Sequence, residues 1–165
     1  MTDGDELARR CAAAMYERDL ATRHLGIEIG EVRPGRATAR MRVTGEMVNG
    51  HDIVHGGYVF LLADTAFAFA CNTYDRVTVA AAAEVVFVRS ARLGDELVAE
   101  AVERTRYGRS GIYDVTVRLA GPKTAAGPGP KTAAESGAEP GAGAVIAEFR
   151  GHSRSRDARM LDGSA

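Results

Sequence analysis

Asn49 to Cys71 reads NGHDIVHGGYVFLLADTAFAFAC, a polar turn with two histidines and a glycine pair, then an apolar run interrupted by one acid, Asp64. The run is apolar almost all round, which predicts a buried helix over about 56–72 rather than a surface one. With Gly56 and Gly57 opening that helix, Asp64 lies two turns further on, roughly 12 Å along the axis at about 1.5 Å per residue. A group that touches substrate at the helix start therefore cannot work with Asp64 of the same copy.

Something must wrap such a helix. Downstream, Val77–Val88 is β-branched at both ends, and Leu93–Tyr107 and Ser110–Ala120 follow, parted by turns at Gly94-Asp95 and Gly108-Arg109. These read as three successive strands of an antiparallel sheet. The alanines at 80–83 leave room for something bulky to pass. Upstream, Ile27, Ile29 and Val32 lead into Pro34-Gly35, followed by alternating Ala37, Ala39, Met41 and Val43, a hairpin pattern. Asp5–Leu20 spaces Leu7, Cys11, Ala14 and Met15 at three- and four-residue steps, an amphipathic helix with Asp3 or Asp5 as its expected cap. Val145–Arg156 returns to strand character. The count predicts an α+β fold, a curved antiparallel sheet of about six strands around a central helix, with an N-terminal helix. Six strands leave one side of the helix open, and that side calls for a second subunit.

The 165 residues suit one domain with a real core. Hydrophobic residues make up 45% and charged residues 26%, and the net charge is −1, so no whole-protein field draws the chain to nucleic acid or anionic lipid. The acidic opening MTDGDELARR has no apolar core of a signal peptide, and the longest apolar run is well short of the ~20 residues of a membrane helix. A cytoplasmic protein is expected. Cys11 and Cys71 lack any CxxC spacing and read as small core or near-surface residues. Between Gly121 and Ala144 the composition turns to Gly, Pro, Ala and Lys, and GPKTAA at 121–126 recurs at 129–134. The only two lysines lie there, against nineteen arginines elsewhere. With so little apolar surface to offset ordering entropy, this reads as a disordered insert within a single domain over 1–156, with a flexible tail at 157–165.

The segment MVNGHDIVHGGYVFLLADTAFAFACN resembles the signature of the PaaI-like, phenylacetate-degradation type hotdog acyl-CoA thioesterases. The likeness extends to AMYERD in the first helix, IYDVTV at Ile112–Val117 and EFRGHSR at Glu148–Arg154. It covers nearly the whole chain apart from the insert and tail. The resemblance implies a hotdog fold, homodimers paired into homotetramers, and hydrolysis of acyl-CoA with neither metal nor cofactor, coenzyme A being part of the substrate. It places the catalytic carboxylate at Asp64, the turn asparagine at Asn49, and the glycine whose N–H polarises the thioester carbonyl at Gly56, with His55 beside it.

The chemistry of each residue fits its implied role. N–H groups at a helix start are unpaired and lie at the positive end of the dipole, where a developing oxyanion is stabilised. Glycine at 56 and 57 lets substrate approach the main chain. Asp64 among apolar neighbours is expected to be partly desolvated and its pKa raised, suiting it to deprotonate water or to attack the carbonyl itself. Read alone, Asp64 could equally be a structural acid and Asn49 only a turn residue. Thr65 is a candidate to orient the attacking water, with a back-bond to a helix carbonyl as its competitor. Arg89 and Arg109 are candidates for the coenzyme A phosphates, or solvated surface charges. His51 and His55 stand four apart, but the surrounding glycines predict a loop and no third ligand stands at a usual spacing, so no metal is expected.

One departure from the family pattern concerns the strand at Ala80–Ala83, where a serine or threonine often faces the nucleophile. The expected substrate is an aromatic or phenylacetyl-type acyl-CoA, with Tyr58, Phe60, Phe67 and Phe69 as aromatic lining. Two rival readings are a hotdog enoyl-CoA hydratase, which would need a histidine on the helix, and a non-catalytic acyl-CoA binder, which gains nothing from a desolvated carboxylate.

Overall fold

Thr2 begins the first helix of the computed structural model, which describes residues 2–121 and 141–162. In α1 (Asp3–Arg18) the Thr2 hydroxyl accepts the Asp5 N–H while the Asp5 carboxylate accepts the Thr2 N–H. The cap is therefore Thr2 rather than Asp3 or Asp5, and the acid at the third helical position completes a capping box. A short α2 (Leu20–His24), capped by Asp19, was too brief to leave a periodic signal. A hairpin follows, β1 (Glu28–Arg33) and β2 (Arg36–Arg42). Gly35 turns it at a φ of +69°, a conformation glycine adopts without strain.

The apolar run forms α3 (Gly56–Cys71), and β3 (Thr78–Phe87), β4 (Glu96–Tyr107), β5 (Ser110–Leu119) and β6 (Val145–Ser155) complete the chain. All six strands form one antiparallel sheet in the order β1-β2-β4-β5-β6-β3. The sheet is as expected, but β3, β4 and β5 are not successive neighbours. β3 crosses to the far edge and pairs with β6, while β4 sits between β2 and β5. Linear strand signals carry no such crossover, because pairing is settled by which strand edges the packed helix leaves available.

Inward alternation on the sheet explains how α3 seats. Ala37 and Ala39 of β2 stand opposite Ala101 and Ala99 of β4, all four buried, so the sheet floor is thin where the helix crosses it. Leu97, Tyr113, Val115 and Val117 fill the rest. Gly151 is required by close approach: a Cβ there would lie 2.8 Å from the Phe67 ring. Phe67 and Phe69 are fully buried, Phe67 against Tyr113 and Phe149 and Phe69 against Tyr16 of α1. They are core residues and not the cleft lining expected of them. Both cysteines are buried and unbridged.

The predicted insert falls largely outside the described residues. At its ends, the N–H of Gly143 donates to Leu119 O, and the Leu119 N–H to Ala144 O. Residues 157–162, read from the sequence as part of a flexible tail, pack back on the body. The Val77 N–H donates to Ala158 O, the Leu161 N–H and the Arg159 guanidinium both reach the buried Asp75 carboxylate, and Met160 is buried near α1. Met160 supplies the apolar anchor, and the anion at Asp75 supplies the partner for Arg159. Among the described residues no helix is long and apolar enough to cross a membrane.

Candidate active site

The polar turn before α3 is laced by its own backbone. The Asn49 carboxamide oxygen accepts the His51 N–H at 2.9 Å, and Asn49 N–H and C=O bond Ile53 O and the Asp52 N–H. Asp52 sits at a φ of +57°, which an aspartate tolerates in a tight turn. Asn49 thus performs the turn role read for it. The ends of the loop are pinned by Val54 N–H to Ala91 O and His55 N–H to Met47 O, both 2.8 Å.

His55 is the N-cap of α3. Its Nδ1 accepts the Gly57 N–H at 2.9 Å, which puts the ring proton on Nε2, and its ring lies edge-on to Tyr58. Capping uses the second N–H of the helix and leaves the first. The Gly56 N–H has no acceptor among the described residues, so an unengaged donor stands at the positive end of a sixteen-residue helix. Gly57 itself is exposed.

Asp64 lies two turns along. Its neighbours Val59, Leu62, Ala63, Thr65, Ala66 and Phe67 are buried, but Asp64 belongs to a half-open stripe with Phe60, Leu61 and Ala68. No hydrogen-bond or ion-pair partner reaches its carboxylate among the described residues, and burial raises its pKa. The alternative of a structural acid tied to an arginine has no support in this geometry. A half-buried carboxylate with no partner among the described residues, one helix with a free N–H, and a separation too great for both to meet one carbonyl are the features of the candidate site.

A family model for the thioesterase superfamily matches residues 51–126, beginning at this turn. The acyl-coenzyme A thioesterase PaaI of Escherichia coli is 44% identical over 115 residues, which cover 70% of this chain and 82% of that protein. The chain belongs to the PaaI-like hotdog acyl-CoA thioesterases. The structure of the E. coli PaaI protein from the phenylacetic acid degradation operon superposes with a TM-score of 0.79 at 34% identity, covering 94% of this chain and 97% of that one. A mutant of the phenylacetic acid degradation protein PaaI from Thermus thermophilus gives a TM-score of 0.67 at 26% identity over 82% and 98%. A putative esterase of Archaeoglobus fulgidus is 31% identical over 121 residues, 73% of this chain and 79% of its own.

The remaining predicted residues of this PaaI-like chain are scattered. Thr65 is buried, off the half-open stripe that carries Asp64. Arg89 is exposed just beyond β3, and Arg109 lies in the β4–β5 turn, where its Nε bonds Ser155 O and its Nη1 pairs with Asp157 at 3.3 Å. Arg109 borders a cavity of about 250 Å³ with Cys71, at the opposite end of α3 from Gly56. Within one protomer the two arginines do not flank a common site. Among the described residues, no three His, Cys, Asp or Glu side chains come together as a metal site.

Sequence reasoning missed Phe87. Its ring tip faces Gly56, where an added Cβ would lie 3.0 Å from Cζ. Nothing in VVFV distinguished this aromatic from an ordinary strand residue, since its partner lies far off along the chain.

Proposed function

We propose that this thioesterase hydrolyses acyl-CoA to free acid and coenzyme A in a homodimer, with Gly56 of one subunit and Asp64 of the other serving one carbonyl. The observation that carries it is the pairing of a free helix-start N–H with a partnerless, half-buried carboxylate two turns away. Asp64 takes a proton from water as the water oxygen attacks the thioester carbon. The oxyanion of the tetrahedral intermediate is held by the Gly56 N–H and the helix dipole, and collapse expels the coenzyme A sulfur, which leaves as the thiol after taking up that proton. Direct attack by Asp64 would instead form an anhydride that water then opens, giving the same products.

The dimer follows from what the protomer leaves bare. β3 pairs with β6 on one edge only, and nearly all its residues are exposed, including Val79, Val86 and Phe87. An unpaired apolar edge strand is an association site, and a second copy added antiparallel covers it together with the open stripe of α3. Pairing of dimers into a tetramer, by the family's habit, completes the assembly. The run of alanines at 80–83 on β3 offers no side-chain hydroxyl to an attacking water, which leaves Asp64 to orient it.

The test is free-thiol release from a panel of acetyl-, butyryl-, benzoyl- and phenylacetyl-CoA. Wild type is expected to turn over the aromatic acyl groups best, and Asp64→Asn to lose about 100-fold or more in kcat, the range of a lost general base. Turnover unaffected by the substitution would remove Asp64 from the chemistry. Coenzyme A binding without thiol release from any member would leave a binding protein.

A further inference from the structure

Gly56 has no side chain, and the sequence alone attributes this to substrate approach. The structure gives the space to another residue. A Cβ built at Gly56 would meet Phe87 at 3.0 Å from Cζ, 3.2 Å from Cε1 and 3.4 Å from Cε2, so the ring points its tip at the glycine. The backbone around Phe87 is tied down on both sides of the contact. Val88 and Arg89 donate N–H groups to Ile146 O at the end of β3, while Val54 N–H to Ala91 O ties the loop before Gly56 to the segment after Phe87. Opposite Phe87 in register stands Ala147, small and buried, which leaves the ring room to lean toward α3. Phe60, one turn beyond Gly56, packs on Phe149 with ring centroids 5.4 Å apart. In the single protomer Phe87 is 53% exposed, so the ring side away from Gly56 is free for whatever the completed site places there.

We infer that Phe87 is a substrate-contacting residue that sets acyl selectivity, and that glycine at 56 is required by the Phe87 ring rather than by the substrate. This rests on the thioesterase reading above. A carbonyl bound by the Gly56 N–H lies within reach of this ring, at the seam the second copy completes, where a planar acyl group stacks and a short aliphatic one gains little. A methyl at 56 would press on the ring tip by a few tenths of an ångström, and where the ring does not yield the strain passes into the first turn of α3. Oxyanion donors tolerate such displacements poorly.

The experiment measures kcat and KM for phenylacetyl-CoA and butyryl-CoA in wild type, Phe87→Leu, Phe87→Ala, Gly56→Ala and the double variant Gly56→Ala/Phe87→Ala, with folding checked by circular dichroism and dimer content by gel filtration. Phe87→Leu keeps the apolar bulk, so it reports selectivity even where Phe87→Ala fails to fold. The expected result has two parts: Phe87→Leu lowers the phenylacetyl to butyryl ratio of kcat/KM by about fivefold, the scale of an aromatic contact, and Gly56→Ala loses at least tenfold in kcat, of which removal of the ring restores most. An unchanged ratio in Phe87→Leu would overturn the selectivity role. Full activity in Gly56→Ala, or no recovery in a folded double variant, would overturn the fit between ring and glycine. Wild type without thiol release on any acyl-CoA would overturn the thioesterase reading itself, an outcome distinct from an active enzyme indifferent to Phe87.

Discussion

Burial without a cationic partner raises the Asp64 pKa, so activity that needs its carboxylate climbs with pH through an inflection above the ordinary aspartate value of ~3.9. The sign for stability is opposite to that of an ion-paired acid. A folded pKa above the unfolded one means that the charged form costs stability, in full above the folded value, and the cost disappears as pH falls below the unfolded value. Asp64→Asn is therefore expected to melt a few degrees above wild type at neutral pH, with the gap closing as the pH is lowered. Paired melting curves across that range check it, and a variant less stable than wild type at neutral pH would show that Asp64 is a structural acid after all. His55 and Asn49 carry the complementary lesson at this scale: each is engaged by local backbone groups, so their first role is to shape the turn that presents Gly56.

Among the elements, α3 and β3 are organised by what they leave uncovered, while the segment after β6 is organised by what it closes. The Arg156 N–H donates to Val77 O and the Val77 N–H to Ala158 O, so this segment holds the start of β3 in place. Arg159 and the Leu161 N–H converge on Asp75, which sits at a φ of +53° and is 6% exposed. Burial alone would raise the Asp75 pKa, but the Leu161 N–H and Arg159 outweigh it and hold the carboxyl below its usual value. A depressed pKa contributes stability that is present above the unfolded value of ~3.9 and lost as pH falls through the folded one. Arg159→Ala is expected to lower the melting temperature by a few degrees at neutral pH and by progressively less in acid. Equal losses at all pH values would mean that the arginine acts through packing alone. A chain read by composition gave no sign of this closure, because two adjacent apolar residues, Met160 and Leu161, in a polar tail have no periodicity to report.

For the whole molecule, the shared site proposed above makes association part of the mechanism, because Gly56 and Asp64 stand two turns apart on one helix. Mixing Gly56→Pro with Asp64→Ala subunits after reversible unfolding is expected to recover about a quarter of wild-type activity, since random pairing makes half the dimers mixed and each mixed dimer holds one intact site. Each variant alone stays inactive. No recovery in mixtures shown to contain mixed dimers would overturn the shared site. Much of the architecture was legible beforehand: alternation marked the strands, Pro34-Gly35 marked the hairpin, and the all-round apolar run with one acid marked both the buried helix and its odd carboxylate. These are local signals, carried by side-chain chemistry at spacings of two to four residues. The sequence by itself therefore determined the two long helices and the six strands, the resemblance and the helix start with its acid. Only the tertiary structure decided that β3 lies at the sheet edge beside β6, that Phe67 and Phe69 are core, and that Phe87 sits on Gly56. Those contacts join residues far apart along the chain, and they are chosen by mutual packing of all the elements at once rather than by the preferences of any one segment.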